Sequence, residues 1–449
     1  MELENKKVLV VGAGKSGLAV ARFLKTKNAE IVITDQNYSV ELQKQIEQIG
    51  VVPVLGRYPE FSDNDYDLVV VSPGVPLSVH PVVKAHSLGI EVIGELELAA
   101  RFIKAPVVAI TGTNGKTTTT SLIGEIFRNN GIKTLVAGNI GLPLVTEVEK
   151  YGPGDIIVAE VSSFQLETTV HFRPNVAVIL NITPDHLDRH ATMQNYAQAK
   201  ANIYKQQLSS DYTVLNYDDS LTASLAVKVP GRVIFFSRKH ILDRGVFVRN
   251  EEIIAALDGD ETAICRVDEV KIPGAHNLEN ALASVAAGFV LGVGRQVLAN
   301  TLKTFPGVEH RLEFVAEING VRYINDSKGT NPDAAVKGLQ AYSQPIVLIA
   351  GGRNKGSDFK EFMQAAKEKV RTMVVLGECA QELLEAAQAV GFGNVIQATD
   401  FISAVKLAAQ TARSGDVVLL SPACASWDMF KNYEERGRLF KEIVKDLRC

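Results

Sequence analysis

Little in the sequence marks a secreted or membrane-bound chain. Its four cysteines, Cys265, Cys379, Cys424 and Cys449, lie far apart and form no paired spacing of the zinc or redox kind. They read as reduced, mostly structural thiols in a reducing compartment. Long hydrophobic runs are missing as well. The longest uncharged apolar stretch, residues 281–294, falls short of the roughly 20 residues a membrane span needs and is interrupted by Ser284, Gly288 and Gly292. It reads as a buried helix. The first seven residues are charged and run straight into a strand and a glycine loop, which argues against a signal peptide and for a cytoplasmic protein. Charge of one sign is scarce: 47 basic and 51 acidic residues leave a net charge of −4, with no run of like charges. An extended nucleic-acid or anionic-membrane surface therefore has little support, and any anionic ligand must be met by local sites.

What is present is an average globular composition, 46% hydrophobic and 22% charged, over 449 residues. That excludes disorder or coiled coil for the whole chain and suggests two to four domains of roughly 100–200 residues each. Strand-like runs alternate with helical patterns from end to end, which argues for α/β domains with mainly parallel sheets. The runs at 8–11, 68–71, 107–110, 156–159, 176–180, 346–350, 373–376 and 417–420 read as strands buried on both faces. Glycine loops open near residues 12 and 112, and the alternation restarts after a helix at 278–291 and a loop at 304–311. Breaks are expected near 95 and 300, giving domains 1–95, 96–300 and 301–449.

The first glycine loop, Gly12, Gly14, Lys15, Ser16 and Gly17 after an apolar strand, has G-x-G-x-x-G spacing and opens a helix. Asp35 ends the next apolar run. Glycines let backbone approach a ligand, and a helix N-terminus offers free N–H groups to an anion. By itself the loop is a dinucleotide fingerprint, and the same pattern also serves other nucleotides or only packs a helix on a sheet. A turn at Ser72, Pro73 and Gly74 follows the strand at 68–71 at the ligand-facing end of the same sheet; as an ordinary turn it needs no ligand.

The second loop carries more chemistry. Gly112, Thr113, Asn114, Gly115, Lys116, Thr117 and Thr118 follow a buried strand and open a helix in a shortened phosphate-loop pattern, since the usual first glycine position is Ile110. Its N–H groups and Lys116 suit phosphates, and the Thr117 hydroxyl suits magnesium. Glu160 ends a neighbouring apolar run as a second candidate magnesium ligand. A third strand end carries Asp185, His186, Asp188, Arg189 and His190, with His186 favoured as functional. On the helix that follows, Met193, Tyr196, Ala197, Ile203 and Tyr204 mark an apolar face with Lys200 in its middle. A buried lysine is rare unless paired. A snorkelling side chain competes there with a lysine of lowered pKa that forms a carbamate with carbon dioxide and serves as a metal ligand. In the last third, residues 325–331, 351–356 and 421–428 place lysines, hydroxyls and glycines at strand ends, groups suited to carboxylates and phosphates.

Together these motifs, with Asn139 in Gly138-Asn139-Ile140-Gly141, Asn277 after His276, and Arg311 after His310, resemble the Mur ligases of bacterial cell-wall synthesis. The resemblance spans the whole chain. It implies three α/β domains: an N-terminal Rossmann-like domain, a central P-loop ATPase-like domain with a parallel sheet, and a C-terminal Rossmann-like domain. It implies an ATP-dependent amide ligase that adds D-glutamate to UDP-N-acetylmuramoyl-L-alanine through an acyl phosphate, with closure of the third domain excluding water. Gly112 to Thr118, Asn277, Arg311 and Asp326 match nucleotide positions. Thr117, Glu160, His186 and Lys200 match ligands of two magnesium ions, the lysine as its carbamate. Gly14, Lys15, Ser16, Gly17, Asp35, Gln36, Gly74, Asn139 and His186 match the UDP-substrate region; Lys328, Thr330, Lys355, Ser426, Trp427 and Tyr433 match the D-glutamate pocket. Lys116, His186 and Lys200 are the expected catalytic residues, and a monomer is the expected state. Two departures stand out: Lys15-Ser16 and Gln36-Asn37 occupy a variable region, and Trp427 replaces an aliphatic residue.

Three other readings compete. An oxidoreductase using Gly12 to Gly17 and Asp35 leaves the second loop and Glu160 without a purpose. A nucleotide-switched sensor would bind ATP without amino-acid-dependent phosphate release. A folylpolyglutamate synthetase-like ligase would add a different amino acid.

Overall fold

The computed structural model describes residues 2–257, 259–354 and 356–447. The chain divides into two compact units, Met1–Glu269 with Glu279–Lys303, and Val270–Leu278 with Thr304–Cys449. Among the described residues no helix is long and apolar enough to cross a membrane. The 281–294 stretch lies mainly in the helix Ala275–Val290, where Ala281, Leu282, Val285 and Ala286 are fully buried, as expected of a core helix.

The first unit holds two sheets. In the first, β1 (Lys7–Val11), β2 (Glu30–Asp35), β3 (Val52–Leu55), β4 (Leu68–Val71) and β5 (Glu91–Gly94) pair in the order β3-β2-β1-β4-β5. All four pairings are parallel. The chain reverses direction across the sheet between β1 and β4, which opens a crevice at their carboxyl ends, where Gly12 and Ser72 lie.

The second sheet contains β6 (Val107–Thr111), β7 (Thr134–Gly138), β8 (Ile156–Glu160), β9 (Val176–Ile179), β10 (Tyr212–Asn216), β11 (Arg232–Ser237), β12 (Gly245–Arg249), β13 (Glu252–Leu257) and β14 (Asp260–Arg266), in the order β14-β13-β12-β11-β10-β9-β6-β8-β7. Here β6 sits between β8 and β9, so the three strand ends singled out from the sequence are neighbours. Sequence reasoning missed that β12, β13 and β14 form an antiparallel extension. β12 and β13 are joined through Asn250 and Glu251, both at positive φ, the conformation a two-residue hairpin turn demands. One apolar core runs through both sheets of this unit: Phe23 and Leu24 of the helix Lys15–Thr26 belong to the same buried cluster as Leu144 and Val145.

The second unit is built on β15 (Glu313–Ile318), β16 (Val321–Asn325), β17 (Ile346–Gly351), β18 (Val370–Leu376), β19 (Val395–Gln397) and β20 (Val417–Leu420), ordered β15-β16-β20-β17-β18-β19. Only β15 is antiparallel to its neighbour. Buried layers cover both faces, one around Leu348 and Phe362 and one around Ile349 and Phe440. The fold is thus three α/β sheets, mainly parallel, as expected.

Candidate functional site

In the first unit the glycine loop and the Ser72–Gly74 turn close on each other. The Ser72 hydroxyl donates to the Gly12 carbonyl at 2.9 Å. A β-carbon at Gly17 would strike that same carbonyl oxygen, so only glycine fits there. The Asp35 carboxylate accepts from the backbone N–H of Ala13 at 2.8 Å and from that of Asn37 at 2.9 Å. It therefore braces the glycine loop from β2. Between these elements lies a cavity of about 570 Å³ lined by Gly14, Lys15, Ser16, Asp35, Gln36, Gly74 and Asn139. Of the residues expected for the UDP-substrate, the structure gathers these seven around one space; Gly17 supports the loop and His186 does not line the cavity. The Lys15 ammonium reaches the Gly141 carbonyl, so the loop of the first sheet touches that of the second.

The phosphate loop leaves β6 at Thr111. Gly112 has φ +150°, and a β-carbon there would sit 3.0 Å from Leu180, so the loop hugs the end of β9. Asn181 clasps it, accepting from Asn114 N–H at 2.9 Å through its side chain and from Thr113 N–H at 2.9 Å through its carbonyl. Gly115, at φ +87°, caps the helix Lys116–Asn129, leaving the first-turn N–H groups facing the loop. Lys116 donates from Nζ to the carbonyls of Gly112 and Thr113, both at 2.8 Å. Thr117 and Thr118 are buried beneath it. At the end of β8, Glu160 is 2% exposed. One carboxylate oxygen accepts from Asn139 Nδ2 at 2.8 Å, while the other is sealed from solvent without a hydrogen-bond partner among the described residues. A buried anionic oxygen left unpaired is costly, and a cation relieves that cost.

Lys200 lies on the buried face of the helix Met193–Ala201, beside Tyr196, Ala197 and Ala201. It is 1% exposed, and its Nζ donates to the Gly112 carbonyl at 2.8 Å and sits 4.4 Å from the centre of the Tyr196 ring. Burial, with Lys116 acting in the same direction and Asp185 opposing, holds its pKa well below the ordinary lysine range. The structure thus brings Lys116 and Lys200 to one loop.

His186 is the N-cap of a short helix, Leu187–His190, at φ +52°, and remains exposed with its ring 4.8 Å from that of Phe164. The buried imidazole is the other one. His190 Nε2 lies 3.0 Å from the Ser163 hydroxyl and Nδ1 lies 3.4 Å from Glu167, and burial lowers its pKa. Glu167 also accepts from Arg189 at 2.6 Å, and Arg189 donates to the Pro73 carbonyl at 3.1 Å. Sequence reasoning missed this chain of contacts; its signal was the short spacing of Ser163 and Glu167, one helical turn apart and opposite a strand end rich in charge.

In the second unit the loops after β16 and β20 meet. Asp326 is fully buried, accepting from the Ser421 hydroxyl at 2.7 Å and Leu312 N–H at 3.3 Å, and desolvation lifts its pKa to about 6. Arg311 lies close enough to oppose that rise, and its Nε has no hydrogen-bond partner among the described residues. Asn277 donates to the Pro273 carbonyl at 2.7 Å, and the neighbouring His276 is driven down to about 4 by burial, with Arg311 and Lys337 adding to the effect. Lys328 sits 5.5 Å from the centre of the Tyr433 ring. Thr330 follows it in the same turn. Ser426 is buried, whereas Trp427 is 57% exposed. Lys355 lies outside the described residues. Arg436, unremarked in the charged helix Tyr433–Asp446, proves fully buried: it donates to the Ser327 hydroxyl at 3.0 Å and the Cys424 carbonyl at 3.3 Å. It therefore ties the two loops together. Nothing in its spacing distinguished it from the solvated charges beside it.

Comparison with known proteins matches three parts of the chain to family profiles: residues 6–94 to the "Mur ligase MurD-like, N-terminal domain", 110–288 to the "Mur ligase middle domain", and 310–424 to the "Mur ligase, glutamate ligase domain". The chain is 60% identical over 450 residues to a UDP-N-acetylmuramoylalanine--D-glutamate ligase of Pelotomaculum thermopropionicum, covering 100% of this chain and 99% of that protein. It is 50% identical to the ligase of the same name from Thermoanaerobacter pseudethanolicus, with both chains fully covered. Its fold resembles that of UDP-N-acetylmuramate-alanine ligase from Thermotoga maritima, with a TM-score of 0.61 at 21% identity over 98% of this chain and 100% of that one. It also resembles a D-alanyl-D-alanyl-adding ligase of Acinetobacter baumannii, with a TM-score of 0.62 at 16% identity over 98% and 93%.

Proposed function

The chain belongs to the Mur ligase family, and on that premise we propose how its site works as an ATP-dependent ligase joining D-glutamate to UDP-N-acetylmuramoyl-L-alanine in peptidoglycan precursor synthesis. One observation carries the site assignment: the strand ends of β6 and β8 put a phosphate loop beside a buried carboxylate with an unpaired oxygen, and Lys200 reaches into the same loop.

The reaction needs a carboxylate made electrophilic. Transfer of the γ-phosphoryl group of ATP to the alanine carboxylate gives an acyl phosphate and ADP. The neutral D-glutamate amine then attacks the acyl carbon, the carbon–oxygen bond to phosphate breaks, and the nitrogen gives its proton to the departing phosphate, leaving an amide and inorganic phosphate. Residues 112–118 hold the ATP phosphates through backbone N–H groups, and Lys116, released from its two carbonyls, offsets the phosphoryl charge. Asn277, Arg311 and Asp326 serve the nucleotide.

Magnesium suits the donor set. Glu160 offers its unpaired oxygen, Thr117 its hydroxyl, His186 its exposed imidazole, and Lys200 a carbamate once its ammonium, which burial makes easier to deprotonate, has lost a proton and taken up carbon dioxide. When bound, two such ions supply Lewis-acid stabilisation of the phosphoryl charge. His190, Glu167 and Arg189 keep the strand-end segment bearing His186 in place. The 570 Å³ cavity receives the uridine diphosphate end of the substrate, with Lys15 and the loop amides available to phosphate, and Asn139 bridges that cavity to Glu160. Lys328, Thr330, Lys355, Ser426, Trp427 and Tyr433 form the D-glutamate pocket. On this account the divisions 1–95, 96–300 and 301–449 serve the UDP-substrate, ATP and the amino acid respectively, in a monomer that works in the cytoplasm.

Phosphate release from ATP and magnesium, measured with UDP-N-acetylmuramoyl-L-alanine against a panel of amino acids, tests the reading. D-Glutamate should stimulate it. Stimulation by L-lysine or L-glutamate instead would overturn the substrate assignment.

A further inference from the structure

Cys379 and Cys424 are 45 residues apart and looked unrelated in the sequence, yet their sulfurs stand 3.0 Å apart in the second unit. The fold is the reason: β18 and β20 flank β17, and the cysteines sit in the segments that leave their carboxyl ends. These segments are pressed together through the turn after β17. Cys379 N–H donates to the Gly352 carbonyl at 2.9 Å, Arg353 and Ala425 exchange backbone hydrogen bonds at 2.8 and 3.0 Å, and a β-carbon at Gly352 would strike the Ala425 carbonyl. A disulfide needs sulfurs about 2.04 Å apart, so roughly 1 Å of approach separates the thiols from a bond. Both thiols are free, at 1% and 2% exposure.

The surroundings favour reaction at one of them. The hydrogen bond with the Cys424 thiol draws the Cys379 pKa down against the burial that raises it, and Cys379 also caps the N-terminus of the ten-residue helix Ala380–Ala389, an end that favours a thiolate. A cavity of about 570 Å³ lined by Gly377, Glu378, Asp428 and Met429 ends one residue short of Cys379 along the chain, and neither sulfur lines it. An oxidant entering it reaches the sulfurs when the turn at 377–379 opens locally.

We propose that Cys379 and Cys424 form a reversible dithiol–disulfide site, oxidised by hydrogen peroxide, whose bond fixes the 421–428 loop to the turn that ends β18. The Cys379 thiolate attacks a peroxide oxygen, the O–O bond breaks, and Cys379 becomes a sulfenic acid as the departing hydroxide takes up a proton and leaves as water. Cys424 sulfur then attacks Cys379 sulfur, and the hydroxyl leaves with the Cys424 proton as a second water. Two thiols lose two electrons and one peroxide gains them. Ser426, two residues beyond Cys424, is assigned above to the D-glutamate pocket; on that reading the cross-link restrains the pocket and raises KM for D-glutamate.

The test treats the whole protein with hydrogen peroxide, alkylates remaining thiols and maps the peptides without reduction. A peptide linking Cys379 to Cys424, lost on adding dithiothreitol and absent from Cys379→Ala and Cys424→Ala variants, is the expected result. Two alkylated thiols after treatment, sulfinic acids without linkage, or either cysteine joined to Cys265 or Cys449 would overturn the site. With the link formed, a D-glutamate KM that rises and returns on reduction supports the locking; an unchanged KM refutes it. Absence of D-glutamate-dependent phosphate release from the reduced protein would instead strike the ligase reading and leave the peptide result standing.

Discussion

Lys116 and Lys200, 84 positions apart in the sequence, point their ammonium groups at one atom: each donates to the carbonyl oxygen of Gly112 at 2.8 Å. Two cations on one buried carbonyl repel each other, and that repulsion adds to the desolvation that depresses the Lys200 pKa. The arrangement is poised for a change of charge. In the proposed reaction an incoming phosphate would draw Lys116 away, and carbamate formation would turn Lys200 from a cation into an anion.

Replacing Lys200 by methionine should therefore separate stability from activity. Removing a buried charge should raise Tm, by about 1–2 °C for each ~1 kcal/mol of strain relieved in a unit of this size. Loss of the proposed metal ligand should lower kcat by about 100-fold or more. In bicarbonate-depleted buffer the unaltered enzyme should slow, and the variant should not respond. Full activity of Lys200→Ala in such buffer would refute the carbamate.

Glu160→Gln should retain the Asn139 hydrogen bond while removing the unpaired anionic oxygen. Its magnesium requirement should shift upward and its kcat fall by roughly 10–100-fold, the range for disturbing a metal's surroundings. Magnesium titration of phosphate release reads both quantities, and an unchanged titration curve would remove Glu160 from the metal site.

Arg189 carries a hydrogen bond to the Pro73 carbonyl and an ion pair with Glu167, linking the 72–74 turn to the strand-end segment after β9. Charged hydrogen bonds contribute about 1.5–3 kcal/mol. Arg189→Ala should thus raise KM for the UDP-substrate by about 10–100-fold while ATP binding, followed by calorimetry, stays near its original value. Equal losses for both ligands would contradict the assignment.

Glu95 gives a pH dependence of defined sign. It is fully buried at the start of the helix Glu95–Ala100, accepts from Val145 N–H at 2.8 Å, and is pushed by desolvation to about 7. Below the unfolded value of 4.5 both states hold the proton and no penalty exists. Between 4.5 and about 7 the unfolded chain ionises first, so this group makes stability fall as pH rises, and above 7 the loss is complete. Glu95→Gln should be more stable than the unaltered chain at pH 8, by about 1–3 kcal/mol, and equal to it at pH 4. Urea unfolding at the two pH values measures the difference; a gap independent of pH would contradict it.

The sole tryptophan, Trp427, is 57% exposed beside buried Ser426, so its fluorescence should report the amino-acid pocket. D-Glutamate added with the UDP-substrate and a non-hydrolysable ATP analogue should shift the emission, and L-glutamate should not. No shift at saturating D-glutamate would place the pocket elsewhere.

The parts of the site visible in the sequence are the local ones. A glycine loop after a buried strand carries its own conformational requirement, so residues 12–17 and 112–118 announced themselves, and Lys200 did so by interrupting an apolar face. What stayed hidden depends on contacts between distant segments. Arg436 looks like any other charge on its helix until the loops of Ser327 and Cys424 close over it. His186 and His190 share one strand-end segment, and only packing against Ser163 and Glu167 buries the second and leaves the first exposed. In the β12–β14 extension the turn through Asn250 and Glu251 lacks glycine, but Asp258-Gly259 between β13 and β14 was a hairpin signal in the sequence that went unread. The shared core around Phe23 and Leu144 joins residues over 100 positions apart, which periodicity does not report.

The central claim is that the chain activates the substrate carboxylate by phosphorylating it. UDP-N-acetylmuramoyl-L-alanine labelled with heavy oxygen in its carboxylate, incubated with ATP, magnesium and D-glutamate, tests this directly by mass spectrometry of the released phosphate. The account predicts that each phosphate carries one heavy oxygen from the carboxylate, because the carbon–oxygen bond breaks when the amine displaces phosphate. Unlabelled phosphate released alongside the amide product would contradict it.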